Sequence, residues 1–293
     1  MKFIKNGFKI IYKKYKLLVK LIIKKILNSA SNTKIGCYLI GQISDIALSQ
    51  VTSVIHNRVD LTFSTPNELC RWRCKTFSEK EPETLEWIDS FETGAIFWDI
   101  GANIGLYSLY AARHRDCQVV AFEPSIFNTE LLAKNINLNM LQNKISIAPI
   151  AISNRCGMNK FIFSTTELGG ALSTFGETYG WDGNEITEKF SVITAGMTLD
   201  DISTILKLSN PRYIKIDVDG IEHLVLSGGL NILRNVESVL IEVTLNFKEQ
   251  TEGCSRILRE SGLRLRETRQ SDLIANSSHG FNNSYNQIWV RRD

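Results

Sequence analysis

A mostly apolar run, Ala95-Ile96-Phe97-Trp98-Asp99-Ile100, leads directly into Gly101-Ala102-Asn103-Ile104-Gly105 and then into an apolar helical pattern from about Ile104 to His114. A buried strand that turns through two glycines into a helix opens a parallel βαβ unit, because parallel strands need a crossover and a helix supplies it. The pattern then repeats. Gln118-Val119-Val120-Ala121-Phe122-Glu123 reads as a second strand closed by Pro124, residues 126–141 as a helix with Leu131, Leu132, Ile136 and Leu138 inward, and Ile145 to Ile152 as a third strand.

The later chain continues the alternation. Tyr213-Ile214-Lys215-Ile216-Asp217-Val218 is the fourth strand, Ile221 to Leu233 a helix, and Val239-Leu240-Ile241-Glu242-Val243 the fifth strand. A short helix opens at Thr198-Leu199-Asp200-Asp201, another covers about 248–261, and late strands fall at Leu263–Glu267 and Gln287–Arg291. The fold class is therefore α/β, a doubly wound, mostly parallel sheet with right-handed crossovers. Upstream, Ser78-Glu79-Lys80-Glu81 has the spacing of a capping box, with Pro82 just inside the helix that follows and Gly94 ending it. Residues 31–77 show no clear periodicity, and Phe161-Ile162-Phe163 suggests one more strand.

In such folds ligands bind beyond the carboxyl ends of the strands, where strand order reverses. Gly101 suits a sharp turn and close ligand approach, Gly105 close helix packing, and Asn103 lies between them. Asp99 puts a carboxylate at this turn, where a dinucleotide's pyrophosphate would be repelled, and the G-x-G-x-x-G fingerprint is missing. An acidic turn suits a cationic, phosphate-free nucleoside such as S-adenosylmethionine, with its sulfonium and ammonium groups. Glu123 ends the second strand 24 residues after Asp99, where a carboxylate can accept from both hydroxyls of a ribose. The bland readings are a tight turn for Gly101 and Gly105 and a simple ion pair for Glu123.

The stretch from Phe97 to Ser108, the Phe122-Glu123-Pro124 triplet and Lys215-Ile216-Asp217-Val218-Asp219-Gly220-Ile221-Glu222 resemble the FkbM family of S-adenosylmethionine-dependent methyltransferases. Glu81-Pro82-Glu83-Thr84, Thr198-Leu199-Asp200-Asp201, Leu226-Ser227-Gly228-Gly229 and Ile241-Glu242-Val243 add to the likeness, which runs over roughly residues 76–292. One departure is Asp219, where the family usually carries glutamate. The resemblance implies a class I methyltransferase (Rossmann-like) fold, a seven-stranded sheet whose last strand is antiparallel, and methylation of a hydroxyl.

Transfer to a hydroxyl is an in-line displacement in which the protein aligns the acceptor and takes its proton. Strand alternation places Lys215, Asp217 and Asp219 on one side, and Glu242 ends the neighbouring strand. Asp217 is the expected base and Glu242 the second choice, with Lys215 orienting a carboxylate or the acceptor; a plain Lys215–Glu242 ion pair is the competing reading. Asp219, Glu222 and Trp181 are expected to line the acceptor site. Trp181, with Tyr179 and Phe175, sits in a glycine-rich stretch, 164–190, that reads as a lid. His223 reads as an exposed helical histidine rather than a base. Asp217, Asp219 and Glu242 offer oxygen ligands to a divalent metal, though no spacing requires one.

Nine lysines and no acid occupy the first 30 residues; with a net charge of +3 overall, the remainder carries −6. Seven of those lysines step by three or four and share one helical arc, opposite Phe8, Ile11, Tyr15, Leu18, Ile22 and Ile26. Such spacing excludes a membrane-spanning helix and a secretory signal peptide, and the missing arginines argue against a transit peptide. Residues 1–28 are expected either to lie on an anionic membrane surface or to dock on protein. The six scattered cysteines are expected to be free thiols, giving a cytoplasmic protein, peripheral to the inner face of a membrane if the helix binds lipid.

The expected domains are thus a basic helix (1–30), an extension (31–77) and a methyltransferase domain (78–293). The acceptor is a small molecule or glycan; the acidic body and the absence of an Asn/Asp-Pro-Pro turn after the fourth strand disfavour nucleic acid. Rival readings are a nucleic-acid or other small-molecule methyltransferase, a nicotinamide oxidoreductase, and a lipid-tethered module without catalysis.

Overall fold

A computed structural model describes residues 2–277 and 281–291. The chain forms two compact units, residues 1–50 and 51–293. The first holds helices α1 (Lys2–Ala30) and α2 (Lys34–Leu48). Thr33 is extended and its side chain accepts from the Gly36 amide, which starts α2.

The second unit begins with a hairpin, β1 (Val51–His56) and β2 (Val59–Ser64), joined by Asn57 and Arg58, both at positive φ. Two left-handed residues match the twist of an antiparallel pair. Residues 51–77, expected as part of an extension, therefore belong to the main fold, and Leu61, Phe63, Cys70 and Phe77 are buried in its core. The chain continues through α3 (Glu68–Lys75), α4 (Phe77–Lys80) and α5 (Pro82–Asp89). Pro82 opens α5, yet the capping box does not form. Ser78 lies inside α4 and bonds His56 Nδ1 at 2.9 Å, while the Glu81 side chain turns to Lys80. Helix α5 stops at Asp89, short of Gly94.

Next come β3 (Ile96–Ile100), α6 (Leu106–Arg115), β4 (Gln118–Phe122), α7 (Ile126–Leu138), β5 (Ile145–Ala148), β6 (Ala151–Ile152), β7 (Gly157–Phe163), β8 (Ser173–Phe175) and β9 (Phe190–Met197). The remainder is α8 (Leu199–Ile205), β10 (Tyr213–Ile216), α9 (Glu222–Ser227), α10 (Leu230–Leu233), β11 (Ser238–Thr244), α11 (Lys248–Glu260), β12 (Leu263–Arg269), α12 (Asp272–Ala275) and β13 (Ser284–Arg291).

Seven strands make one sheet in the order β12-β13-β11-β10-β3-β4-β5. Strands β11, β10, β3, β4 and β5 run parallel, and β13 is antiparallel to both its neighbours. This is the class I methyltransferase arrangement, Rossmann-like and doubly wound. Phe97 and Trp98, consecutive in β3, sit in separate buried clusters, as the period-2 pleat requires when both faces are covered.

The single third strand expected over 145–152 is two strands. Pro149, which has no amide to donate to a ladder, separates β5 from β6, and β6 joins a second sheet, β6-β9-β7-β8. Part of the glycine-rich stretch is therefore strand (β8), and the helix expected over 221–233 is broken into α9 and α10 around Gly228 and Gly229. A Cβ at Gly228 would lie 2.4 Å from the Ser153 carbonyl oxygen, so the chain there is pressed against β6's neighbour.

Candidate active site

Strand β3 delivers the acidic turn to the carboxyl end of the sheet. Gly101 and Ala102 donate to the Phe122 carbonyl at 3.0 and 3.1 Å, locking the turn to β4. Gly101 has φ +85°, and a Cβ there would lie 1.9 Å from the Asp217 carbonyl oxygen. Its bareness is thus explained by the neighbouring chain after β10, not by the approach of a ligand. Asn103, also left-handed, gives its backbone amide to Glu123 Oε2 at 2.7 Å. Glu123 is buried at the end of β4 and accepts from the Ser125 amide at 2.8 Å with its other oxygen. Burial outweighs these bonds and pushes its carboxyl up to about 7.

Asp99 lies beneath this turn. It is 1% exposed, not open at the strand end as expected, and accepts from Ser108 Oγ at 2.5 Å; its Oδ1 has no partner among the described residues. Opposite it in register on β10 is Lys215, fully buried, with Nζ 2.7 Å from Asp217 Oδ2 and 5.1 Å from the Tyr107 ring centroid. The competing Lys215–Glu242 ion pair is not present; the lysine pairs with Asp217. Strand β10 stops at Ile216, so Asp217 and Asp219 follow from the loop and not from strand alternation, and Asp219 takes φ +61°. Glu242 lies within β11, which runs on to Thr244.

Asp217, Asp219 and Glu242 nevertheless meet, with carboxylate oxygens all within 4.8 Å of one another. Burial would raise the Asp217 carboxyl, but the ammonium of Lys215, backed by Lys80, holds it at about 2. Burial and the Asp217 charge together drive Glu242 well above the usual carboxylate range, so it carries a proton and bonds Asp217. Asp219 is pushed up to about 6 by burial and by Asp217.

Two site residues escaped the sequence reading. Lys80 and Glu81 form an ion pair at the junction of α4 and α5, and both sense Asp217. Glu81 also faces Lys215 and takes a hydrogen bond from the Tyr107 hydroxyl. The available signal was the Glu81-Pro82-Glu83-Thr84 segment, whose local spacing reads as a helix start. A buried carboxylate and a lysine so close to Asp217 and Lys215 make one charged network.

Residues 168–173 are strapped over the turn. Asn67 Nδ2 donates to the Leu168 carbonyl (2.8 Å), Arg73 Nε to Gly169 (2.8 Å), and Asn103 and Asn128 to Gly170 (2.8 and 3.0 Å). The Leu172 amide donates to Asp219 Oδ2 at 2.6 Å. Glu222 does not line an open pocket. It is 1% exposed, takes the amides of Val218 and Gly220 and the Gln250 side chain, and so fixes the turn after β10. Trp181 packs on Phe281, ring centroids 4.8 Å apart, and its backbone lies over Gly220. His223 is buried, not exposed, and burial lowers its basicity.

Beside the turn, at the carboxyl ends of β3 and β4, a small cleft is lined mainly by apolar residues, Ile100, Phe122, Pro124, Ile152 and Val218 among them, together with Gly101. All six cysteines are free.

Residues 99–270 match the Methyltransferase FkbM domain. The hexuronic acid methyltransferase AglP of Haloferax volcanii is 22% identical over 174 residues, covering 59% of this chain and 65% of that protein. Among solved structures, the methyltransferase FkbM of Methylobacillus flagellatus is 14% identical, with 68% of this chain and 44% of that one aligned at a TM-score of 0.45. The tRNA m1G37 methyltransferase of M. jannaschii is 12% identical, with 83% and 55% aligned at 0.42. The chain therefore spans just under two thirds of the curated relative and less than half of the FkbM structure.

Proposed function

Because the chain belongs to the FkbM methyltransferase domain family, we propose that it moves the methyl group of S-adenosylmethionine onto a hydroxyl of a saccharide, with Asp217 as proton acceptor. The observation that carries this reading is the meeting of Asp217, Asp219 and Glu242, with carboxylate oxygens within 4.8 Å of one another, beside the buried Lys215 at the carboxyl end of the sheet. Lys215 holds Asp217 ionised there, which is what a proton acceptor requires. Glu123 would hold the ribose, Asn103 its neighbourhood, and Gly101 and Gly105 shape the turn beneath it.

When bound, the cofactor supplies a methyl group made electrophilic by a sulfonium that departs as a neutral thioether. Asp217 stays ionised throughout the physiological range, since it is held at about 2. Such a weak base is still adequate. A hydroxyl that has gained a methyl group is a protonated ether, far more acidic than any carboxylic acid, so its proton passes to Asp217 as the oxygen–carbon bond forms. Lys215 keeps that carboxylate ionised and aimed. Asp219 and Trp181 border the place from which an acceptor would reach Asp217.

The saccharide acceptor rests on the likeness to the hexuronic acid methyltransferase. The test is transfer of labelled methyl from S-adenosylmethionine to oligosaccharides with and without uronic acid. Label that resists mild alkali marks an ether. Label released by alkali marks a carboxyl ester and overturns the hydroxyl assignment, and label in none of the sugars overturns the acceptor class.

Cofactor affinity should depend on pH through Glu123. Only its ionised form accepts from both ribose hydroxyls, so the dissociation constant should rise up to tenfold per unit below about 7, reaching about 30-fold between pH 8 and pH 5.5. Fold stability without ligand moves the other way. Glu123, Asp219 and Glu222 are all raised in the fold, so the native state holds extra protons from about pH 4 to 7 and loses stability as pH climbs through that window. Titration calorimetry separates the two trends, and an affinity flat from pH 5.5 to 8 would remove Glu123 from the cofactor site.

A further inference from the structure

The first 50 residues present a surface that methyl transfer does not use. On α1, Tyr15, Leu18, Ile22 and Ile26 recur at helical spacing, and each is 49–63% exposed. On α2, Ile35, Leu39, Ile43 and Ile46 form a second stripe, 53–75% exposed. Gly36 is the single buried residue of α2. Eight large apolar side chains half in water, aligned in two stripes, are a liability that isolated surface leucines are not.

Charge identifies what covers them. Residues 1–50 contain ten lysines against one acid, Asp45. Lys14, Lys20, Lys24 and Lys25 are exposed on α1. A second copy of the same surface would bring two strongly cationic faces together, which opposes self-association. Neither helix is long and apolar enough to cross a bilayer. The α1 stripe, backed by lysines without counter-charges, has the pattern of a helix lying in the plane of an anionic lipid surface, its apolar face a few ångströms into the acyl boundary. Helix α2 carries only Lys34 and Asp45, so its stripe offers apolar area without added charge.

We propose that residues 1–50 form a membrane-docking unit for anionic lipid, in which α2 as well as the lysine helix contributes an inserted apolar stripe. Each lysine near such a surface is worth about a fivefold gain in partitioning, and salt screens it. Docking by two stripes would hold the methyltransferase unit beside substrates carried on that surface.

The experiment uses the full chain and sedimentation with two vesicle types, phosphatidylcholine alone and phosphatidylcholine with phosphatidylserine. Binding is expected on the anionic vesicles only, and it should fall steeply as salt is raised. Lys20→Gln with Lys24→Gln should weaken it about 25-fold. Leu39→Ser with Ile43→Ser should also weaken it, with helicity checked by circular dichroism. Retention by α2-substituted protein at wild-type strength overturns the role of α2. Equal binding to neutral vesicles overturns the anionic assignment. A stable dimer that binds neither vesicle and is dispersed by Ile22→Ser shows that a second copy covers the stripe instead. The salt series on the unsubstituted protein decides the charge question even if a variant misfolds.

Discussion

Asp217→Asn is expected to lower kcat by about 10²- to 10⁴-fold, the range typical for loss of a positioned proton acceptor, while S-adenosylmethionine still binds. The asparagine keeps the shape and one acceptor oxygen but cannot take a proton from a methylated hydroxyl. Cofactor affinity should change little, because the carboxylate proposed to hold the ribose, Glu123, lies on the other side of β3. Glu242→Gln is the matched control. Glu242 stands protonated and bonds Asp217, a role that glutamine's amide also fills, so its effect on kcat should stay within about tenfold. Single-turnover kinetics with saturating cofactor measures both. If Asp217→Asn retains turnover within a few-fold of the unsubstituted enzyme, another group takes the proton.

Lys215→Met should destabilise the fold by about 3–5 kcal/mol, the usual result of stripping one partner from a buried charged pair. The lysine is 1% exposed and answers Asp217 at 2.7 Å, with Glu81 and Asp99 also facing it. Methionine fills much the same volume, so the loss is electrostatic rather than a cavity. A domain of this size would melt roughly 6–20 °C lower. The pH dependence identifies the cause. Without the ammonium, the carboxyls that faced it gain a reason to stay protonated in the fold. Their folded pKa values rise above the unfolded ones, so the variant should be closest to wild type near pH 5 and furthest near pH 8. Chemical denaturation at the two pH values tests this, and an equal deficit at both would mean that lost packing, not lost charge, is responsible.

The sheet and the acidic glycine turn after β3 were legible because both are written locally. An apolar run, two glycines and an apolar helix declare a βαβ unit within twenty residues, and Glu123 falls at the next strand end. Other parts depend on partners far away in sequence. Gly101 looks like a ligand-approach glycine until the Asp217 carbonyl is found where its side chain would be. Ser78 to Glu81 satisfies a capping pattern, yet Glu81 instead joins a charged network with Lys215 and Tyr107. No window of neighbouring residues encodes that choice. The β1–β2 hairpin escaped notice because Asn57-Arg58 adopts left-handed geometry without the glycine that usually signals it. His223 was misplaced for a related reason: α9 packs against α11, and only the tertiary contact buries it.

Strand β13 carries a consequence for biosynthesis. It comes last in sequence among the sheet strands, but it lies between β11 and β12 and bonds to both. Its Asn286 also donates to Glu83 at 2.8 Å, across 203 residues. During translation β11 emerges before β13, so until β13 follows it offers an unpaired edge to which a chaperone, or a neighbouring nascent chain, would attach. Strands β12 and β13 pair antiparallel with each other, so the two can add to the sheet as one ribbon, joined to β11 through β13 alone.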